Sequence, residues 1–417
     1  MLPTNNNKES NKSLLFLSWE SPWPPHSGAA LRTSGLLSEL SKAFNVELIV
    51  LTRQPLTGEQ STYLSQMAHR VIQLPLRDVS KADKMRALSR VTYYNLPYHS
   101  AVLQLSLSNF SAVRERILRF PGIVFTSVGH WGTLVTDRSA PNWILNQCDA
   151  DVEFWRVYAT QTHYPPARLA ARINYRFARR HYPQIYTNVG RIISVCEEDR
   201  QHTLALAPQA RVDIIENGVD CSYYVPRRGP RNGPPRLLFT GTSAARNMTA
   251  LHTFVRDVFP LIRQQVPDVE LLVGGNFNAK AQEEFASVSN MRFSGRVDDI
   301  RPLFDQSDVF VAPFAEVHGS KLKIAEAMAM AIPIVSSTQG IRGFPLINGR
   351  SVLIADNAFE FATHTVSLLR DPEHGFVLGQ TARDLALSTI DWQPLGKRLV
   401  KIVKTSQEQI TQAHEQL

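Results

Sequence analysis

The sequence predicts an α/β protein of two domains, each a parallel sheet with helices between its strands. At 417 residues the chain exceeds one ordinary core and suits two of about 200 residues. Apolar runs of strand length alternate with stretches of helical periodicity. The stretch from Pro226 to Pro235, rich in proline, glycine and arginine, reads as a linker. These observations set a first domain over 1–225, a linker over 226–235 and a second domain over 236–390. A terminal helix over 391–417 is expected to cross back to the first domain.

The first domain opens with a buried strand, Leu14-Leu-Phe-Leu. The loop from Trp19 to Gly28 follows, stiffened by Pro22, Pro24 and Pro25. Leu31 to Leu40 is an amphipathic helix and Val46 to Thr52 the next strand, which together open a βαβ unit. Val71 to Leu74 is a further strand. Gly122 to Ser127 is a stronger one, with His130 just beyond its end. A histidine so placed can bond a hydroxyl or phosphate or handle a proton, or can serve the core alone. Asp149 and Asp151 then form an Asp-x-Asp, suited to lining a cleft or to a structural role.

From Phe154 to Cys196 there is no acidic residue, while arginines and aromatic residues interleave. If Pro166 to His181 is a helix, Arg172, Arg176, Arg179 and Arg180 share one face. Such a face suits an anionic membrane surface, at about 1 kcal/mol per cation. The alternative is a solvated face whose arginines pair with acids elsewhere. No nucleic-acid recognition motif accompanies it. A strand from Arg191 and a helix start at Glu197-Glu-Asp close the first pattern.

The second domain begins with the strand Arg236 to Thr240, which runs into Gly241-Thr242 and, a little further on, Arg246-Asn247. Backbone N–H groups of such a turn can cradle phosphate. Leu251 to Val266 reads as a helix, and Val269 to Gly275 and Val309 to Ala312 as strands. Gly319-Ser-Lys-Leu-Lys-Ile-Ala-Glu-Ala-Met-Ala-Met then follows a loop at a strand's carboxyl end, where open α/β sheets bind ligands. Leu322, Ala325, Met328 and Ala329 recur at helical spacing, and the helix is expected to stop before Pro333. Lys321, Lys323 and Glu326 lie in its opening turns, with Lys323 and Glu326 at i and i+3 on one face. A cation for phosphate oxygens and a carboxylate for sugar hydroxyls would point at one ligand. Ala358 to Leu369 and the segment after Trp392 read as helices.

Composition bounds the partners. Hydrophobic content of 43% and charged content of 20% are those of a globular protein with sizeable cores. The first dozen residues are polar and no run reaches the roughly 18 apolar residues of a membrane span, so neither a secretory signal nor a span is expected. Cys148, Cys196 and Cys221 are odd in number and far apart, which suggests neither a disulfide framework nor a clustered metal site and favours a reducing cytoplasm. A net charge of +8 favours an anionic partner.

The passage Ser307-Asp-Val-Phe-Val-Ala-Pro-Phe, the Gly319 string and Pro333-Ile-Val-Ser-Ser-Thr-Gln-Gly340 resemble the nucleotide-sugar signature of GT-B glycosyltransferases. The nearest likeness is to the retaining group called glycosyltransferase family 4. The resemblance is strong over 236–370 and looser elsewhere. It implies two Rossmann-like domains facing across a cleft, with a nucleoside diphosphate sugar in the C-terminal half and a hydroxyl acceptor, a sugar or a lipid-linked glycan, in the N-terminal half. Glu326 would accept from the ribose. Lys323 and Arg246 would stabilise the departing diphosphate, with His130 a further catalytic candidate. Gly241, Thr242, Asn247, Gly295, Gly319, Lys321 and Gly340 would border the donor.

Many members place a second Glu eight positions before the first; here that position is His318, with Glu316 two residues off register. The Gly-x-Lys-x-Lys-x-x-Glu form resembles a subgroup without that Glu. Gly28, Asp149 and Asp151 would lie toward the acceptor. An Asp-x-Asp holds a divalent metal in GT-A enzymes, whereas GT-B enzymes use helix termini and cations, so neither metal nor cofactor is expected. The alternatives are a nonhydrolysing sugar-nucleotide epimerase and a catalytically silent binding module of the same fold. Enzyme action at the inner face of a membrane is consistent with the basic helix.

Overall fold

A computed structural model describes residues 13–25, 27–78, 80, 82–83, 86, 98–107, 110–148, 151–161, 164–226, 233–315 and 321–415. Asp149, His318, Gly319 and most of the expected linker lie outside them. The chain forms two compact units. One runs to Glu216 and takes in the chain from Gly396 onward; the other is Asn217–Leu395.

Among the described residues, the first unit carries a seven-stranded sheet ordered β3-β2-β1-β4-β5-β6-β7. These are Ser13–Ser18 (β1), Asn45–Thr52 (β2), Arg70–Pro75 (β3), Ile123–Thr126 (β4), Ala140–Asn146 (β5), Val189–Ser194 (β6) and Val212–Ile214 (β7). Every pairing is parallel, with Leu14 opposite both Val46 and Ile123. Parallel sheets need both faces covered, and all four residues of the central strand β4 are accordingly buried.

Helix Gly28–Ser41 (α1) returns the chain from β1 to β2, its first turn capped by Ser27, whose side chain accepts from Ala30 N–H. Helices Asp151–Gln161 (α2) and Pro165–Asn188 (α3) precede β6. β5 has no counterpart in the sequence reading. Pro141 and Asn142 break its apolar pattern, and its pairing with β6 is irregular between Ala140 and Ile144.

The second unit carries, among the described residues, a six-stranded sheet ordered β10-β9-β8-β11-β12-β13. Its strands are Arg236–Thr240 (β8), Glu270–Gly274 (β9), Met291–Gly295 (β10), Val309–Ala312 (β11), Ile334–Ser336 (β12) and Leu353–Ile354 (β13), again all parallel. Leu238, Phe239, Phe310, Val311, Ile324 and Met328 pack in one core.

Helix Ala245–Thr253 (α4) follows β8. The helix read over Leu251 to Val266 is divided: a π turn spans Phe254–Val258 and a short α-helix Phe259–Gln265 follows. Pro260 has no N–H to continue the ladder, so the register is reset ahead of it. Helix Leu322–Ala329 (α5) links β11 to β12. It ends three residues sooner than Pro333 requires, because Ala331 takes φ +50°.

Helices Ala358–Arg370 (α6), Pro372–Leu385 (α7) and Trp392–Glu415 (α8) complete the chain. From Gly396 onward α8 belongs to the first unit. A Cβ at Gly396 would lie 2.1 Å from Glu39 Oε2, so α8 approaches α1 as closely as a glycine allows.

Candidate functional site

Both sheets reverse their strand order at one point, between β1 and β4 and between β8 and β11. Ligands of such sheets bind beyond the carboxyl ends of the strands there. In the second unit β8 ends at Thr240 and turns at Gly241, whose N–H donates to the Gly274 carbonyl at 2.9 Å. Gly275, at φ +115°, comes so near that a Cβ would sit 2.1 Å from the Gly241 carbonyl oxygen. Neighbouring strand ends thus meet as bare backbone, as close approach to a polar ligand demands.

Helix α4 opens beyond this turn with no side-chain cap. Its Arg246 is exposed and its Asn247 is buried. Asn247 Nδ2 donates to the Thr242 carbonyl and hydroxyl, both at 3.2 Å. Lys323 arrives from α5: Nζ donates to the Thr240 carbonyl at 2.6 Å and to Asn247 Oδ1 at 2.9 Å. It lies 4.6 Å from the centre of the Phe314 ring and 5.4 Å from that of Phe239. Burial pushes this ammonium down to about 7, helped by the positive charges of Arg246 and Lys321 and opposed by Glu326.

One turn along α5, Glu326 accepts from the Tyr224 hydroxyl at 3.0 Å. Burial raises its carboxyl above the usual range, against the Tyr224 hydrogen bond and the Lys323 charge. Lys321 is the residue before the helix, extended and 5% exposed. Helix α5 has no side-chain cap, so its N-terminal partial positive charge is left for an anion. At the end of β12, Gly340 is buried, and a Cβ there would meet Ser336 Oγ at 2.1 Å and the Ala312 carbonyl oxygen at 2.8 Å. Gly295 ends β10 at φ +69°. The structure thus brings Gly241, Thr242, Asn247, Lys323 and Glu326 to one switch point, with Arg246 and Lys321 close enough to act on the Lys323 charge. Tyr224 and Gly275 join that site without having been singled out in the sequence.

The first unit holds the other candidates. His130 stands in a 3₁₀ turn, Gly129–Val135, directly after β4. Its Nδ1 lies 3.2 Å from the Tyr182 hydroxyl and its ring meets Trp19 edge-on at 5.3 Å. Burial lowers its pKa to about 4, so the imidazole is neutral near pH 7. Gly28 is the exposed first residue of α1, and Asp151 the first of α2.

A buried arginine that the sequence did not mark, Arg32, ties these strand ends together. Its Nε and Nη2 donate to Asn146 Oδ1 at 3.2 and 2.8 Å, and its guanidinium also bonds the carbonyls of Ile215 and Glu216.

On α3, Arg172, Arg176, Arg179 and Arg180 are all exposed, with Leu169 and Ile173 exposed between them. Two other arginines of the acid-free stretch are paired, Arg156 with Glu153 and Arg191 with Asp213. Among the described residues no helix is long and apolar enough to cross a membrane, and no group of His, Cys, Asp and Glu is placed to hold a metal ion.

Two doubly wound parallel units in one chain define the GT-B fold. Residues 234–371 match the family described as glycosyl transferases group 1. Sucrose-phosphate synthase from Thermosynechococcus elongatus matches with a TM-score of 0.67 and 15% identity, over 94% of this chain and 98% of that one. Anabaena HepE, solved with UDP and glucose, matches with a TM-score of 0.63 and 12% identity, over 94% and 100%. At these identities the likeness is one of fold. An uncharacterized 44.6 kDa protein in the cps region of Klebsiella pneumoniae is 25% identical over 140 residues, 31% of this chain and 36% of that protein. The chain spans 36% and 65% of the length of the curated relatives it matches.

Proposed function

We propose that the protein is a retaining, metal-independent glycosyltransferase that moves a sugar, a hexose or a close relative, from a nucleoside diphosphate sugar to a hydroxyl acceptor. The observation that carries this is the placement on α5, one turn apart, of a half-buried cation, Lys323, and a half-buried carboxylate, Glu326, at the β8–β11 switch point. Lys323, Arg246 and the open N-termini of α4 and α5 hold the diphosphate, and Glu326 holds the ribose. Gly241, Thr242, Asn247, Lys321, Gly295 and Gly340 border the donor, and His318 and Gly319, outside the described residues, are further donor-binding candidates.

In the reaction the bond from the anomeric carbon to the diphosphate oxygen breaks and the acceptor oxygen takes its place. The acceptor proton passes to the departing diphosphate. Catalysis consists of stabilising that leaving group with groups already in position. His130, neutral at working pH, serves as a hydrogen-bond partner, and Gly28, Asp149 and Asp151 are the acceptor-binding candidates. A relative in a cps region and a similar fold solved with UDP and glucose support a role in polysaccharide or glycoconjugate synthesis.

The test is thermal denaturation with UDP, GDP, ADP and their sugars, followed by mass spectrometry of donor turnover with and without sugar acceptors. A ligand at a hundred times its Kd adds about 2.7 kcal/mol, a shift of a few degrees. Stabilisation with acceptor-dependent turnover is expected. A sugar nucleotide of unchanged mass but altered chromatographic retention, formed without acceptor, identifies an epimerase instead, and stabilisation without turnover a silent binding module.

We also propose that the exposed α3 face seats the protein on the cytoplasmic side of an anionic membrane, with Leu169 and Ile173 dipping between Arg172, Arg176 and Arg180, and Arg179 beside them. Replacing Arg172, Arg176 and Arg180 by Glu is expected to abolish cosedimentation with phosphatidylglycerol vesicles. Unchanged sedimentation contradicts the membrane contact.

A further inference from the structure

One side chain at the switch point has no place in the motif and yet touches its central carboxylate. Tyr224 lies 102 residues before Glu326, and its hydroxyl donates to Glu326 Oε1 at 3.0 Å. Its position is fixed from several directions. Arg383 of α7 donates through Nη1 to the Tyr224 carbonyl at 2.7 Å and, with the same nitrogen, to the carbonyl of Ala329, the last residue of α5. Its Nη2 reaches the Cys221 carbonyl at 3.3 Å. One guanidinium therefore ties the Tyr224 backbone to the helix that carries Glu326.

The neighbouring Tyr223 is held in turn. The Arg301 guanidinium lies 3.9 Å over its ring, and Arg301 Nη1 donates to its carbonyl at 3.0 Å. Arg301 is itself fixed by Asp299, at 2.9 Å from Nε and 2.7 Å from Nη2. The Tyr223 and Tyr224 rings meet edge-on at 5.1 Å. A segment with this many restraints presents a hydroxyl at a defined point.

Resting on the donor-site reading above, we propose that Tyr224 is a positioning residue for nucleotide recognition: its phenol holds Glu326 Oε1, fixing the carboxylate so that Oε2 accepts from the ribose. A carboxylate with a free rotamer would lose side-chain entropy on binding and would bond less directionally. Among the described residues the groups acting on Glu326 are the Tyr224 phenol and the Lys323 ammonium; Arg246 and Lys321 act on Lys323. Burial raises the Glu326 carboxyl and the phenol opposes that rise. Removing the hydroxyl therefore lets Glu326 protonate at higher pH. Burial, followed by the Glu326 charge, raises the Tyr224 phenol itself, which keeps it a donor at neutral pH and above.

The test is calorimetric titration of UDP, with GDP and ADP alongside, into wild type, Tyr224→Phe, Glu326→Ala and the double variant between pH 6 and 9. Tyr224→Phe keeps the ring and the Arg383 contacts. It is expected to weaken nucleotide binding about tenfold at pH 7 and by more at pH 6, while adding nothing in the Glu326→Ala background. The carboxyl carbon of Glu326, followed by NMR without ligand, should titrate at higher pH in Tyr224→Phe. Wild-type affinity in Tyr224→Phe, or an equal loss with and without Glu326, overturns the role of Tyr224 and leaves the donor site standing. If Glu326→Ala binds every nucleotide as wild type does, the donor-site reading falls and the role of Tyr224 with it.

Discussion

The two switch points of this protein are built on one plan and furnished differently. In each unit a glycine follows the first strand, Gly28 after β1 and Gly241 after β8, and a helical turn follows the strand beside it, bearing His130 after β4 and Lys323 after β11. In the second unit the glycine is hemmed in by the Asn247 side chain, the helix N-terminus is uncapped, and a half-buried cation and carboxylate stand one turn apart. In the first, the helix is capped by Ser27, the glycine is exposed, and the titratable side chain is neutral. An anion is met by open N–H groups and charge; a neutral hydroxyl compound needs neither. The same sheet order thus carries two furnishings: the helix after the first strand is capped by Ser27 in the first unit, and its counterpart α4 in the second has no side-chain cap.

The largest expected effect separates the two. Lys323→Met should lower sugar transfer by roughly 100–1000-fold, the usual loss on removing one preorganised electrostatic group. His130→Gln should lower it about tenfold or less. A larger loss at His130, measured as kcat with saturating donor, would reverse the assignment.

The glycines sharpen the contrast on the stability axis. At Gly275→Ala a Cβ would face the Gly241 carbonyl at 2.1 Å from a backbone at φ +115°. A cost of about 1–3 kcal/mol in denaturant unfolding is expected. Gly28→Ala, at an exposed helix start, should change stability by less than about 0.5 kcal/mol. Equal costs at both sites would mean that the close backbone approach in the second unit is not a constraint.

The pH dependence is smaller and specific to Lys323. Its folded pKa, about 7, lies below the ordinary 10.5, so between those values the unfolded chain holds a proton that the folded one has released. The stability penalty of this lysine is therefore full below pH 7 and is relieved as pH rises toward 10.5. A bound diphosphate favours the charged form. Nucleotide affinity should then fall by up to about tenfold per pH unit above 7, with proton uptake on binding. Calorimetry in buffers of different ionisation enthalpy measures that uptake; the same uptake in Lys323→Met would assign it to another group.

Much of the second unit's site could be read from the sequence because it is local. A glycine turn after an apolar strand, and a helix start between two such strands, occupy two short stretches, so spacing alone places Lys323 and Glu326 on one face. Tyr224 could not be read, since its partner is 102 residues away and nothing in Ser222-Tyr-Tyr-Val marks a hydroxyl as bonded. Arg32 was equally hidden. In an amphipathic helix it looks like a solvent-facing cation, yet it is 1% exposed, because Asn146 and the carbonyls after β7 receive its guanidinium. The strand β5 was obscured by Pro141 and Asn142, which interrupt the apolar run that the other central strands show. Local periodicity thus revealed backbone and motif, while long-range polar pairing stayed out of reach.

The measurement closest to the central claim is hydrogen–deuterium exchange with and without UDP, which reports where a nucleotide lands. Protection is expected at the amides of 241–248 and 321–326, with 28–36 and 129–135 unchanged. Protection confined to the first unit's switch point would contradict the account.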